Sequence, residues 1–166
     1  MFKFLKNKKK ENNADILKFV APVKGKTFPL SDVPDPVFAK KMIGNGLAIM
    51  PEDDIIVAPV DGELTLVLDT RHAFAMTLDN GIELLIHIGL ETVTLNGEGF
   101  EQLVEAGTTV KAGTPIIKID RDFILSKGIS LITPLLITNM DIVKELKVNV
   151  DNNVTAGKDE VITVSL

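Results

Sequence analysis

His72 and His87 are the only histidines of the chain, and each lies in an apolar run on one side of the Asn80-Gly81 pair. Because the sequence contains no cysteine, imidazole is the one strong nucleophile left that titrates near neutral pH. Two imidazoles side by side can carry a phosphoryl group, relay a proton or ligate a metal ion. Thr70, two residues before His72, points to the same face of an extended strand and can offer its hydroxyl there. His72 can add a ring N–H, and backbone amides near Gly89 can add more. Arg71 alternates to the opposite face and receives no role in this chemistry.

The elements that must position the pair are the segments 71–78 and 82–88, both strand-like, and Asn-Gly between two such runs is a strong hairpin signal. A two-residue Asn80-Gly81 loop sets Asp79 opposite Ile82, His72 opposite Gly89 and His87 opposite Phe74. The histidines then become diagonal neighbours on one face, with α-carbons roughly 7–8 Å apart. A three-residue loop would break that parity.

The chain has 166 residues, of which 45% are hydrophobic and 25% charged, enough for one well-packed domain. Without cysteine there are no disulfides, thiolate metal sites or cysteine nucleophiles. No apolar run approaches the roughly 20 residues that span a bilayer, and the first ten residues lack the apolar core and cleavage site of a signal peptide. The expected location is the cytoplasm, and Met1 with the basic lead reads as the start of a free-standing chain. Five of the 18 basic side chains fall within residues 1–10, which hold no acid, so the remainder carries 13 basic against 23 acidic groups. An acidic body argues against a nucleic-acid partner. Residues 1–16 read as a flexible basic, amphipathic segment, solvated or in peripheral contact with an anionic membrane through residues 1–10.

From residue 17 to 166, strand-like pieces of four to seven residues recur between Gly, Pro, Asn and Asp, which indicates an all-β domain, an antiparallel β-sandwich or barrel-like fold. An internal repeat supports this: Val20-Ala-Pro-Val-Lys-Gly25 returns as Val57-Ala-Pro-Val-Asp-Gly62, and a second echo joins Val104-Glu-Ala-Gly-Thr-Thr-Val-Lys-Ala-Gly113 to Val154-Thr-Ala-Gly157. The few helical signals are short. Asp35 can cap a helix that opens on Pro36 and runs through Ile43 to Gly44; residues 100–105 and 121–127 read as further turns of helix. Leu131–Thr138 is an apolar strand whose Pro134 suggests an edge or a bulge.

Two other chemistries fit poorly. Catalytic zinc usually takes three protein ligands, but no His-x-His is present and Met76 stands where a His-x-x-x-Asp pair needs its acid. A zinc ion shared by His72, His87 and a partner's ligand stays open. A biotin or lipoyl carrier would display a lysine at a hairpin tip, and the tip here is Asp79-Asn80-Gly81.

The motifs resemble the glucose-family IIA component of the bacterial phosphoenolpyruvate-dependent sugar phosphotransferase system. They run in order from Ala-Pro-Val-x-Gly at 21–25 through Asp-Val-Pro-Asp at 32–35, Val-Ala-Pro-Val-Asp-Gly at 57–62 and Thr-Arg-His-Ala-Phe at 70–74. Gly-Ile-Glu-Leu-Leu-Ile-His-Ile-Gly-Leu-Glu-Thr-Val at 81–93, Gly-Glu-Gly-Phe at 97–100 and Thr-Asn-Met-Asp at 138–141 complete the series. The resemblance implies an antiparallel β-sandwich with short helices and a phosphohistidine intermediate. His87 would accept phosphate at Nε2 from the histidine-containing phosphocarrier protein and pass it to a cysteine on the IIB domain of a sugar permease. His72 would stabilise the phosphoryl group, aided by Thr70, with His87 Nδ1–H held by a backbone carbonyl. No cofactor is required.

Positions commonly phenylalanine in relatives are Leu68 and Leu85 here, and Glu91 replaces a usual aspartate. The implied docking face comprises Val37, Phe38, Met42, Ile43, Leu68, Phe74, Leu85 and Val93, with Asp35 and Glu91 meeting basic residues of the donor. For each apolar one a place in the buried core is the competing reading, most seriously for Leu68 and Leu85. A regulatory binding module that signals phosphorylation state to other targets through the same face is the alternative, and the sugar itself is not legible.

Overall fold

The computed structural model describes residues 16–166, so the basic lead and its membrane contact fall outside the described residues. These form fourteen strands: β1 (Ile16–Val20), β2 (Gly25–Pro29), β3 (Asn45–Pro51), β4 (Ile55–Val57), β5 (Gly62–Val67), β6 (Ala73–Thr77), β7 (Glu83–His87), β8 (Phe100–Gln102), β9 (Thr109–Val110), β10 (Pro115–Ile119), β11 (Thr133–Ile137), β12 (Glu145–Val148), β13 (Asn153–Val154) and β14 (Glu160–Ser165). Two short α-helices, α1 (Pro36–Ala39) and α2 (Arg121–Ser126), join them. The expected all-β class is the observed one: every strand pair is antiparallel.

An eight-stranded sheet has the order β13-β2-β3-β11-β7-β6-β5-β9, and two three-stranded sheets have the orders β1-β14-β12 and β4-β10-β8. Both small sheets share one buried core with the large one, built from Phe19, Ile56, Phe74, Ile86, Ile117 and Val164 among others. About the central β11–β7 pair, β3, β2 and β13 on one side answer β6, β5 and β9 on the other, and the sequence repeat explains the correspondence. Val20 N–H donates to Pro59 O at 2.8 Å while Val57 N–H donates to Pro22 O at 2.6 Å, so the two copies of the motif bond each other reciprocally. Likewise Gly157 N–H reaches Ala21 O and Gly113 N–H reaches Ala58 O, each at 2.8 Å. The chain is therefore two similar halves related by a pseudo-twofold axis, with β7 and β11 at the centre.

The halves differ in the link between their second and third strands. Between β2 and β3 the chain inserts a 3-10 turn and α1, whose Leu30, Val33 and Phe38 form a second small core with Ala48, Leu90, Ile132 and Leu136 on the outer face of the large sheet. This insertion walls one side of the region where β7 ends.

Three expectations are corrected. Helix α1 stops at Ala39 rather than Ile43, because Lys41 turns left-handed (φ 56) and the last carbonyls are taken up early. Lys41 N–H bonds Phe38 O at 3.0 Å and Met42 N–H bonds Val37 O at 3.1 Å, a Schellman ending with lysine in the place glycine usually takes. Residues 100–102 are strand β8 and not helix, since Phe100 and Glu101 pair with Ile119 and Lys118 of β10; cross-strand partners outweigh local propensity. Pro134 lies on no edge. β11 is central, between β3 and β7, and its ladder with β7 begins only at Leu135. The proline ring, which has no N–H to give, thus sits one residue beyond that ladder. Helix α2 forms as expected, with Asp120 accepting from Phe123 N–H at 3.1 Å.

Candidate functional site

Strands β6 and β7 pair as expected, but one residue out of the expected register. Ala73 faces His87, Ala75 faces Leu85 and Thr77 faces Glu83, so the loop holds three residues, Asp79–Gly81. Leu78 N–H bonds Ile82 O at 2.9 Å, Gly81 N–H bonds Leu78 O at 3.0 Å, and Gly81 has φ 94, the geometry of a three-residue loop closed by a left-handed glycine. Side chains from outside the hairpin secure it. Asn139 donates to Gly81 O and accepts from Glu83 N–H, both at 2.8 Å. Its motif was visible in the sequence, but its role was not, because the clamp joins positions remote along the chain.

A one-residue slip exchanges the faces of every side chain. Phe74 therefore faces Ile86 and is 0% exposed within the main core, which removes it from the docking face. His87, Leu85 and Ala75 take the outer face. On regular strands His72 would then point away from His87, yet the rings meet with centroids 5.0 Å apart and planes at 80°. The reason lies ahead of β6. Arg71 is left-handed at φ 58, with its N–H bonded to Leu68 O at 2.8 Å, so His72 enters outside the strand pleat. Its own carbonyl accepts from Ile88 N–H at 2.6 Å.

Each imidazole has one nitrogen engaged. His87 Nδ1 lies 2.8 Å from Gly89 O, and His72 Nδ1 lies 2.7 Å from Thr70 Oγ1. A carbonyl can only accept, so His87 Nδ1 carries the hydrogen and Nε2 keeps a lone pair. The Thr70 hydroxyl is engaged with His72 Nδ1 rather than standing apart as a free group. Phe38 also packs against His87, centroids 5.1 Å apart, so the ring meets both Phe38 and His72. His72 is only 4% exposed and His87 half-buried. Burial lowers both pKa values from the ordinary histidine value; the His87 charge pushes His72 further down, whereas the Gly89 bond and the Asp35 carboxylate partly restore His87. Both rings are consequently neutral at pH 7.

Asp35 caps α1, accepting from Val37 N–H at 3.0 Å, and its charge bears on His87. Of the expected docking residues, Met42 (66%), Val93 (51%), Val37 and Ile43 are exposed. Leu68 and Leu85 are half-buried, and Phe38 is buried against His87. Glu91 is exposed and left-handed at φ 61. Sequence reasoning missed Leu66, 48% exposed. A bulge in β5 between Leu64 and Leu66 turns it outward opposite Ala75, and a bulge leaves no trace in the period-two pattern.

Among the described residues no three His, Cys, Asp or Glu side chains gather as a metal site. His72 and His87 present two nitrogens, so zinc there needs a donor from another molecule. No helix of the described residues is long and apolar enough to cross a membrane.

Residues 17–143 match the family described as phosphoenolpyruvate-dependent sugar phosphotransferase system, EIIA 1. Among similar proteins is a PTS system glucose-specific EIIA component of Staphylococcus epidermidis, 42% identical over 100% of this chain and 99% of the relative. A component of the same name from Oceanobacillus iheyensis is 45% identical over 99% of each. The solved glucose permease IIA of Mycoplasma capricolum superposes with a TM-score of 0.83 at 36% identity, covering 89% of this chain and 95% of that one. With its fold, its paired histidines and the full-length likeness in agreement, the chain belongs to the EIIA 1 family of the phosphoenolpyruvate-dependent sugar phosphotransferase system.

Proposed function

We propose that the chain is a cytoplasmic phosphoryl carrier for sugar uptake. His87 takes the group from the histidine-containing phosphocarrier protein and hands it to the IIB-domain cysteine of a permease for a glucose-type sugar, as the names of its relatives suggest. The observation that carries this reading is the 2.8 Å approach of Gly89 O to His87 Nδ1, which leaves Nε2 as the nucleophile on a ring that packing has immobilised.

In acceptance, the Nε2 lone pair forms a bond to phosphorus as the donor's P–N bond breaks, and the donor nitrogen leaves with the electron pair. In onward transfer the IIB thiolate attacks phosphorus and His87 Nε2 leaves. His72, with its Nδ1 bonded by the Thr70 hydroxyl, presents Nε2–H to the phosphoryl oxygens. Preorganised donors of this kind act where charge develops. The exposed Val37, Met42, Ile43 and Val93, with Leu66 and the half-buried Leu68 and Leu85, form the apolar rim on which partners dock. Asp35 and Glu91 supply the acidic groups that meet basic partner residues. Zinc fits only as a bridge in a complex, on Nε2 of His87 and on Nε2 of His72 in the tautomer whose Nδ1–H donates to Thr70 Oγ1, with a partner carboxylate as the third donor. The transfer steps do not use it.

Incubation with phosphoenolpyruvate, enzyme I and the phosphocarrier protein should label His87 and then a IIB domain. No label on the wild-type chain sinks the carrier reading; label that passes to no IIB domain assigns the chain to regulation through the same face.

A further inference from the structure

Thr92 is a wholly buried polar residue that none of the steps above uses. It opens the 3-10 turn Thr92–Leu95, immediately after the left-handed Glu91, and both arms of its side chain act on backbone beside His87. The hydroxyl donates to Ile88 O at 2.6 Å. The methyl closes over Gly89, where an added Cβ would stand 2.6 Å from Thr92 Cγ2 and 2.7 Å from Ser130 O.

This short stretch touches both histidines. Ile88 N–H donates to His72 O at 2.6 Å, Gly89 O faces His87 Nδ1 at 2.8 Å, and Leu90 N–H is tied to Ser130 O at 3.0 Å. Gly89 holds φ 74, and its carbonyl meets Nδ1 only while the flanking peptides keep that conformation. Without the carbonyl, a neutral imidazole has no partner fixing its tautomer, and the form with hydrogen on Nε2 has no lone pair there for phosphorus.

We infer that Thr92 is a positioning residue of the phosphoryl site: through Ile88 and Gly89 its hydroxyl keeps the hydrogen of His87 on Nδ1 and the lone pair on Nε2. This rests on His87 as the acceptor, but its first readout is the tautomer and not the transfer.

The test is nitrogen NMR of the imidazoles in the full chain at about pH 8 with a chelator present, comparing wild type, Thr92→Val and Thr92→Ser. Valine keeps the shape and leaves Ile88 O without its donor, whereas serine keeps the hydroxyl. Wild type and T92S should show His87 protonated at Nδ1, and T92V a mixture of the two tautomers. Phosphoryl acceptance by T92V should fall about tenfold, the weight of one neutral hydrogen bond, with T92S within about twofold of wild type. Thr92→Ala makes the same comparison should T92V not fold. Wild-type nitrogen shifts in T92V, or equal displacement in T92S and T92V, would overturn the inference, the second by making the methyl responsible. A wild-type chain that takes no label overturns the acceptor reading, while the nitrogen shifts still decide the part played by Thr92.

Discussion

The imidazoles of His72 and His87 stand edge to face with centroids 5.0 Å apart, although the register of β6 and β7 would set them on opposite faces if both belonged to regular strands. A left-handed Arg71 places His72 just outside the pleat, and that single departure assembles the site. The two rings reach it by different routes, and the proposed transfer gives them separable roles.

Substitution should separate them. His87→Gln is expected to accept no label at all. His72→Gln should still accept it, because Nε2 of His87 is intact, but onward transfer should slow by about 10²-fold, the usual effect of losing one preorganised donor. Rapid-quench measurement of the two half-reactions checks this; equal losses at both steps would show that His72 also captures the group.

Stability should depend on pH through the same pair. Both pKa values are lowered by burial from the ordinary 6.5, so below that pH the unfolded chain binds protons that the folded chain refuses. The stabilisation is complete above pH 6.5 and is lost as pH falls through the window between 6.5 and the lower folded-state values. Denaturant midpoints for wild type should drop on acidification through this window, and in the double variant H72Q/H87Q the drop should be smaller. An identical drop in the double variant would assign it to carboxylates.

Gly89→Ala should be poorly tolerated. The left-handed φ of 74 alone costs about 1–2 kcal/mol for a residue with a Cβ, and the new atom would also meet Ser130 O at 2.7 Å. Chemical denaturation should show at least that loss, accompanied by weaker phosphoryl acceptance. A variant as stable and as active as wild type would mean that this loop is not rigid.

The revised docking face makes a contrast between residues of similar chemistry. Met42→Asp and Val93→Asp, both at exposed positions, should weaken binding of the phosphocarrier protein by about tenfold or more while leaving stability within about 0.5 kcal/mol. Phe74→Ala, in the core, should instead cost about 3–5 kcal/mol. Calorimetric titration beside thermal melts separates the two kinds of effect. Selective loss of binding in a fully folded Phe74 variant would return that residue to the interface.

Much of the fold is legible in the residues alone. Alternation with frequent turn residues indicated an antiparallel β protein, and the repeated Val-Ala-Pro-Val motif foreshadowed the two halves that now bond through Val20 and Val57. Helix α2 was legible because its signal, a short run from Arg121 that stops at Gly128, is local. The early end of α1 was not, since its Schellman ending has lysine where glycine would have marked it, and neither was the central place of Pro134, which depends on strands from other parts of the chain.

The residues alone carry the chemical inventory: two histidines and no cysteine, a hairpin to bear the pair, and ordered family motifs around both. Tertiary structure decided the faces. Period-two patterning is satisfied by a two-residue or a three-residue loop, and the choice between them rests on which side of each strand meets the shared core. That core draws Phe74 and Ile86 inward, turns His87 outward, and leaves the left-handed Arg71 to bring His72 beside it.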